Sequence, residues 1–329
     1  MSGTLPSADT ARALVLALAE TAGLVATPRA PAGEQAEREA CDLIERCLQL
    51  CRDAPAVPAE PVRTVHHFAC TGGTLICKCL AALPNVQLLS EVDPLSTLRW
   101  NRIQPQFAPT DTTLQLRQSP RGVSPELLVR LFAQNLLAIQ AECAALGQHL
   151  VLRDHAHSHF CVGDSVPERP TLREMLPPDL PVLSVVTVRH PIDSYIALSG
   201  NGWIHHAPGT FDEYCRRYQA FLDRHDALPT VRYEDFVERP EPTMRALCEL
   251  LQLPFREDFV QLFPAIRLTG DSGRGGEQIA ERPRRRPPPP LCAELLASHE
   301  VGPLCARLGY APSTLQEGLE PPPASTGDR

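Results

Sequence analysis

Positive charge is in short supply in this sequence. Against 31 lysines and arginines stand 39 aspartates and glutamates, a formal net charge of −8. Such a surface repels phosphate backbones and excludes nucleic acid as a general partner; a nucleotide-sized anion would need a locally positive pocket. Long hydrophobic runs are also missing. None reads as the roughly 20 apolar residues that span a bilayer, so no membrane role is expected. A secretory leader is missing as well: the apolar stretch 11–18 is interrupted by Arg12, follows no basic cluster and is closed by Glu20. The 12 cysteines are scattered, and several, such as Cys41, Cys47 and Cys51, sit inside apolar helical patterns. They read as reduced thiols of a cytoplasmic protein. No internal repeat is present.

What is plentiful is proline. The 34 prolines cluster at 28–31, 55–61, 177–181, 283–290 and 321–323 and punctuate the fold. With 43% hydrophobic and 21% charged residues the composition is globular, and the chain can bury a nucleotide site. Residues 7–25 and 34–51 show apolar positions at helical spacing, for example Leu43, Ile44, Cys47, Leu48 and Cys51, and read as an N-terminal helical extension over 1–60. From residue 61 strands and helices alternate. Strands are predicted at 64–68, 86–89, 149–152, 182–188 and 230–233, and helices at 74–82, 125–146, from 193 and at 242–251. That alternation predicts right-handed βαβ units, hence a three-layer α/β/α domain with a parallel sheet over 61–312. Ligands in such sheets bind at the carboxyl ends of strands. Residues 313–329 read as a loose tail.

The first predicted strand runs into Cys70-Thr71-Gly72-Gly73-Thr74-Leu75 and then a helix. Glycines let the backbone approach an anion, the first helical amides lack partners, and Thr71 and Thr74 add hydroxyls. The segment reads as a phosphate cradle or as an ordinary glycine turn. It is not the strict triphosphatase loop G-x-x-x-x-G-K-[ST]: residues 72–79 read G-G-T-L-I-C-K-C, with Cys77 and Cys79 where glycine and the magnesium-binding hydroxyl belong.

The third predicted strand ends in Arg153-Asp154-His155, followed by His157, His159 and Cys161. An imidazole near neutral pKa suits a general base. The alternating set 155, 157, 159, 161 would share a strand face, and His66, His67, Cys70, Cys77 and Cys79 form a second set, but neither has zinc-ligand spacing and no metal is expected. The fourth strand, 182–188, is valine-rich, as suits burial on both faces. It runs directly into Arg189-His190-Pro191-Ile192-Asp193-Ser194, where a guanidinium fork stands at a strand end before a helix.

These pieces resemble the sulfotransferases that use 3′-phosphoadenosine 5′-phosphosulfate (PAPS), a family with the fold of P-loop nucleoside triphosphate hydrolases. The family's 5′-phosphosulfate loop, [KR]-S-G-T-T-[WL], is matched at Gly72, Thr74 and Leu75, with Thr71 for Ser and Gly73 between; its basic residue falls on Cys70. Lys78 or Arg153 is the expected replacement cation. In the tyrosylprotein branch a Glu seven residues after a proline is the base, and Glu91 stands seven after Pro84. In the cytosolic branch a strand ends K-[ST]-H, and Arg153-Asp154-His155 has that spacing. The 3′-phosphate motif R-D-P-R-D is matched at Arg189, Pro191 and Asp193. The family's serine eight residues after the arginine falls on Ala197, so Ser194 or Ser199 is the expected substitute, Ser194 first. Arg267 to Gly276 resembles the late loop that closes over the nucleotide, with Arg274 as a phosphate contact. The run Arg282, Arg284, Arg285 and Arg286 reads as a solvated stretch.

The resemblance, which spans about 65–310 in family order, implies transfer of a sulfuryl group from PAPS to a hydroxyl or amine. Glu91, His155 and Arg153 would be catalytic, and Thr71, Gly72, Gly73, Thr74, Leu75, Arg189, Ser194 and Arg274 would hold the donor. The alternatives are a P-loop small-molecule kinase, or a nucleotide-binding protein that has lost its chemistry.

Overall fold

The structure, a computed structural model, describes residues 46, 59–98, 107–270, 278–315 and 319. The expected helix at 7–25, that at 34–51 apart from helical residue 46, and Arg274 lie outside those residues. The chain divides into two compact units, Met1–Glu60 and Pro61–Arg329, and the second carries the elements below.

Strand β1 (Val62–His67) is buried at every position. A glycine turn leads to helix α1 (Gly73–Ala81), then β2 (Val86–Val92), α2 (Thr112–Gln118) and the long α3 (Pro125–Ala145). Next come β3 (His149–Asp154), α4 (Ala156–Phe160), the two-residue β4 (Val162–Gly163), β5 (Val182–Val188) and α5 (Pro191–Gly200). The chain continues through β6 (His205–His206), α6 (Phe211–Arg224), β7 (Thr230–Arg232), α7 (Tyr233–Glu238), α8 (Pro240–Leu251) and α9 (Phe259–Leu262), and ends with α10 (Pro289–Ala297) and α11 (Val301–Arg307). Five strands form one parallel sheet in the order β2-β3-β1-β5-β7, while β4 and β6 pair separately.

Side-chain parity explains the three layers. Val65, Val151, Val185 and Val231 share a cluster with Ile76, Cys77 and Leu80 of α1 and Leu247 and Leu251 of α8. The opposite face packs Val62, Leu150 and Leu152 against Leu136 and Cys143 of α3, and Phe68, Val186 and Val188 against α5 and α6. Because β1 sits mid-sheet, the chain leaves it toward β2 on one side, whereas β5 leads toward β7 on the other. Adjacent strands whose exits diverge open a crevice at their carboxyl ends.

Three expectations are corrected. First, α3 has 21 residues and a mean hydropathy of 1.2 over its most apolar window, long and apolar enough by length and composition to cross a membrane. A core helix passes the same test, and α3 buries Leu128, Leu136, Gln140 and Cys143. Second, α6 was not expected, although Thr210 caps it by accepting from the Glu213 N–H, and Phe211, Tyr214, Cys215, Tyr218, Phe221 and Leu222 form its buried stripe. Third, the tail does not begin loosely at 313: Pro312–Leu315 form a 3₁₀ turn, and Leu319 is buried in the core.

Candidate active site

The crevice holds a cavity of about 230 Å³. The turn before α1 lines it with Cys70, Gly72 and Thr74, and α1 with Leu75 and Lys78. From the β5 side come Arg189, Asp193 and Ala197, and from the later chain Tyr233, Gly270, Arg282 and Arg285. Four cations against the single carboxylate of Asp193 make this the positive pocket that an acidic chain needs to hold a nucleotide.

Both glycines of the turn are dictated by close approach. Gly72 adopts φ +85°, and a Cβ there would lie 2.2 Å from the Tyr233 ring. At Gly73 it would lie 2.5 Å from the His67 imidazole. The N–H groups of Gly73 and Thr74, at the start of α1, find no acceptor among the described residues, as expected of a helix N-terminus. Arg189 faces this turn, its guanidinium stacked 4.7 Å over Tyr233. Among the described residues no carboxylate pairs with Arg189, so its charge is available to the cavity.

Strand parity assembles the second half of the site. His67 on β1 and Arg153 on β3 project from the same sheet face as α1. Buried Arg153 donates from Nε to His67 Nε2 (2.9 Å), from one terminal nitrogen to Thr74 Oγ1 (2.8 Å) and from the other to Ser90 Oγ (3.0 Å). Burial, reinforced by the Arg153 cation, holds the His67 pKa well below its ordinary value. The ring is therefore neutral and accepts from Arg153, while Nδ1–H donates to Phe68 O (3.2 Å). Glu91 lies in a bulge of β2, where the register against β3 shifts between Leu89 and Val92, and its φ is +61°. The bulge aims its carboxylate at 2.8 Å from the Arg153 guanidinium and 3.2 Å from His155 Nε2.

The structure thus brings Glu91, Arg153 and His155 together, and Arg153 ties them to Thr74. Gly72, Thr74, Leu75 and Arg189 line the cavity, and Gly73 lies in the turn between the first two. Glu91, Arg153 and His155 do not line the cavity themselves; Arg153 bonds Thr74 and Glu91 abuts Gly270, both of which do. Thr71 and Ser194 turn away from it. Thr71 is fully buried and its hydroxyl donates to Phe68 O (2.8 Å). Ser194 is fully buried and donates to His190 O (3.1 Å), while the cavity face of α5 runs through Asp193 and Ala197. Nor is Arg153 a spare cation: its guanidinium is saturated by protein partners. Lys78 and Cys70 both line the cavity. The arginine run is not simply solvated either. Arg284 donates to both oxygens of Asp193 (3.1 and 3.0 Å) and to Thr314 O (2.7 Å), holding Arg282 and Arg285 at the cavity rim.

Neither candidate metal set weighed from the sequence converges among the described residues. Among the described residues the cluster with ligand-like spacing is His66, Asp154 and His225 on the opposite sheet face. There His66 Nδ1 lies 2.7 Å from Asp154 and Nε2 lies 2.9 Å from Thr64 Oγ1, and its ring packs on that of His225 at 4.5 Å. That arrangement occupies both ring nitrogens of His66 and reads as core support.

A sulfotransferase family model matches residues 68–257, more than half of the chain. The chain belongs to the sulfotransferase family: it is a transferase, and its reaction is sulfuryl transfer. No curated protein matches the sequence. Among solved structures, the sulfotransferase domain from the curacin biosynthetic pathway is similar over 77% of this chain and 98% of that one, at 16% identity and a TM-score of 0.48. The sulfotransferase domain of the Synechococcus PCC 7002 olefin synthase is similar over 78% and 98%, at 17% identity and 0.47. Mouse sulfotransferase SULT7A1 complexed with PAP is similar over 69% and 68%, at 8% identity and 0.32.

Proposed function

We propose that the donor is PAPS and that the sulfuryl group passes to a hydroxyl or amine. The observation that carries this reading is a cavity lined both by Arg189 and by the turn whose Gly73 and Thr74 amides find no acceptor among the described residues. The 5′-phosphosulfate fits the amides, Thr74 Oγ1 and Lys78, and the 3′-phosphate fits Arg189. Negative charge developing on the bridging oxygen would meet those same donors, so catalysis rests on positioning and charge stabilisation. The acceptor enters from the Glu91 and His155 side. The described cysteines are free thiols, most of them buried, which supports a reducing compartment such as the cytoplasm.

Thermal shift with 3′-phosphoadenosine 5′-phosphate (PAP), AMP and ATP tests the donor. PAP is expected to raise the melting temperature well above AMP, since a ligand at 100 Kd adds about 2.7 kcal/mol. Arg189→Ala is expected to weaken PAP about 10- to 100-fold and to leave AMP nearly unchanged. Equal responses to PAP and AMP in the wild type would overturn the reading.

A further inference from the structure

Glu91 and His155 are not two rival bases. We propose that they form one unit in which His155 Nδ1 takes the acceptor's proton and Glu91 is a positioning residue. This inference rests on the sulfuryl-transfer reading and assigns the atoms within it.

Access decides the roles. Oε1 of Glu91 is covered: Arg153 stands 2.8 Å from it, and a Cβ on Gly270 would lie 2.3 Å from the same oxygen, so the Gly270 backbone rests against the carboxylate. Oε2 stands 3.2 Å from His155 Nε2. Each oxygen of Glu91 is thus already faced by a donor. His155 differs. Its side chain is hardly more exposed than that of Glu91 (19% against 18%), so the difference lies in its unpartnered nitrogen. As the N-cap of α4 it makes no capping hydrogen bond, and Nδ1 has no partner among the described residues.

A proton on Nε2 meets the Glu91 carboxylate, which leaves the lone pair on Nδ1. When Nδ1 accepts the acceptor's proton as the acceptor oxygen or nitrogen bonds to sulfur, the positive charge on the ring lies beside a carboxylate that is already in place. The sulfur–oxygen bond to the nucleotide breaks in the same displacement, and its electron pair leaves with PAP. A carboxylate that fixes a tautomer and stabilises the imidazolium is the logic of the hydrolase triads. Arg153 extends it: the cation that aligns Glu91 also holds Thr74 in the donor loop, so base and donor share one anchor.

The groups facing the pair are Arg153 from β3, His67 from β1, Cys77 from α1, Gly270 and Thr269 from the late loop, and His157, whose ring lies 6.1 Å from that of His155. Burial, with the neighbouring histidines, lowers the His157 pKa to about 3, so it stays neutral and adds no competing charge near pH 7.

Long-range proton–nitrogen correlation spectra of the imidazoles, assigned with His155→Ala, read the tautomer directly. The Nε2–H form is expected for His155 in the wild type, and its dominance is expected to be lost in Glu91→Gln. A dominant Nδ1–H form, or a tautomer indifferent to Glu91→Gln, overturns the proposal. Release of PAP from PAPS, with 2-naphthol as a generic hydroxyl acceptor and water as the background acceptor, gives the second readout. His155→Ala is expected to lower the rate at least 100-fold. Glu91→Gln is expected to lower it less, as befits a residue that orients the base rather than being it. A Glu91→Gln enzyme deader than His155→Ala makes Glu91 the base and sinks the assignment. PAP thermal shifts separate the two failures: a wild type indifferent to PAP indicts the donor reading, whereas variants that bind PAP normally keep any loss of rate with the base.

Discussion

Gly73 is where the turn and the sheet compete for the same space. Its missing side chain lets the donor loop lie on His67, which in turn accepts from Arg153. Gly73→Ala is expected to cost about 1–3 kcal/mol of stability, because the imidazole it strikes is buried and hydrogen-bonded on both nitrogens. It should also weaken PAP, because the amides that face the phosphosulfate shift with the loop. Chemical denaturation and PAP titration check both. Residue-level legibility divides along one line. Arg189, Glu91, Arg153 and His155 were readable because a charged side chain at a strand end or bulge has few places to go but the crevice. Thr71 and Ser194 were misread because a small hydroxyl satisfies itself locally: each bonds a carbonyl three or four residues back and turns away from the ligand.

At the level of elements, β1, α1, β3 and β5 were legible to within two or three residues, and their order in the sheet follows from the crossover rule. The bulge in β2 was not legible, since nothing in Leu88-Leu89-Ser90-Glu91-Val92 marks a break in register; it is imposed by the pairing of Glu91 with Arg153 and His155 on the next strand. The histidines that begin or end helices carry a pH signature. Burial holds His190 at the start of α5 and His225 after α6 at pKa values of about 4, and His159 in α4 likewise. The unfolded chain binds these protons near pH 6.5 and the folded protein only near 4, so the unfolded state takes up more protons on acidification. The stability these groups contribute is present above about pH 6.5 and is lost as the pH falls toward 4. The melting temperature is therefore expected to drop between pH 7 and 5, and His225→Gln is expected to flatten that slope.

Across the whole molecule, the last part of the described chain closes the donor turn. Arg284 reaches back to Asp193, Thr314 Oγ1 stands 3.0 Å from His190 Nε2, and Tyr310 donates to Glu234 (2.6 Å), whose other oxygen accepts from the His190 N–H (3.0 Å). Arg284→Ala would release the 3₁₀ turn and leave the Asp193 carboxylate facing the cavity without its counterion. A stability loss of about 1–3 kcal/mol and a PAP affinity lowered about 10-fold are expected. Melting curves with and without PAP read both, and unchanged PAP binding would place Asp193 away from the nucleotide. This closure was hidden from the sequence because it joins residues about a hundred positions apart through a run of arginines that composition alone marks as solvent-facing.

The exposed pair Arg282 and Arg285 at the rim sits on a molecule that is negative overall. A polyanionic nucleotide drifting past is repelled by most of the surface and drawn in only at that mouth. Capture and retention therefore obey different rules. Raising ionic strength from 0.01 to 1 M, which shortens the screening distance from about 30 to 3 Å, slows arrival steeply, whereas escape, governed by groups deeper in the crevice, hardly responds.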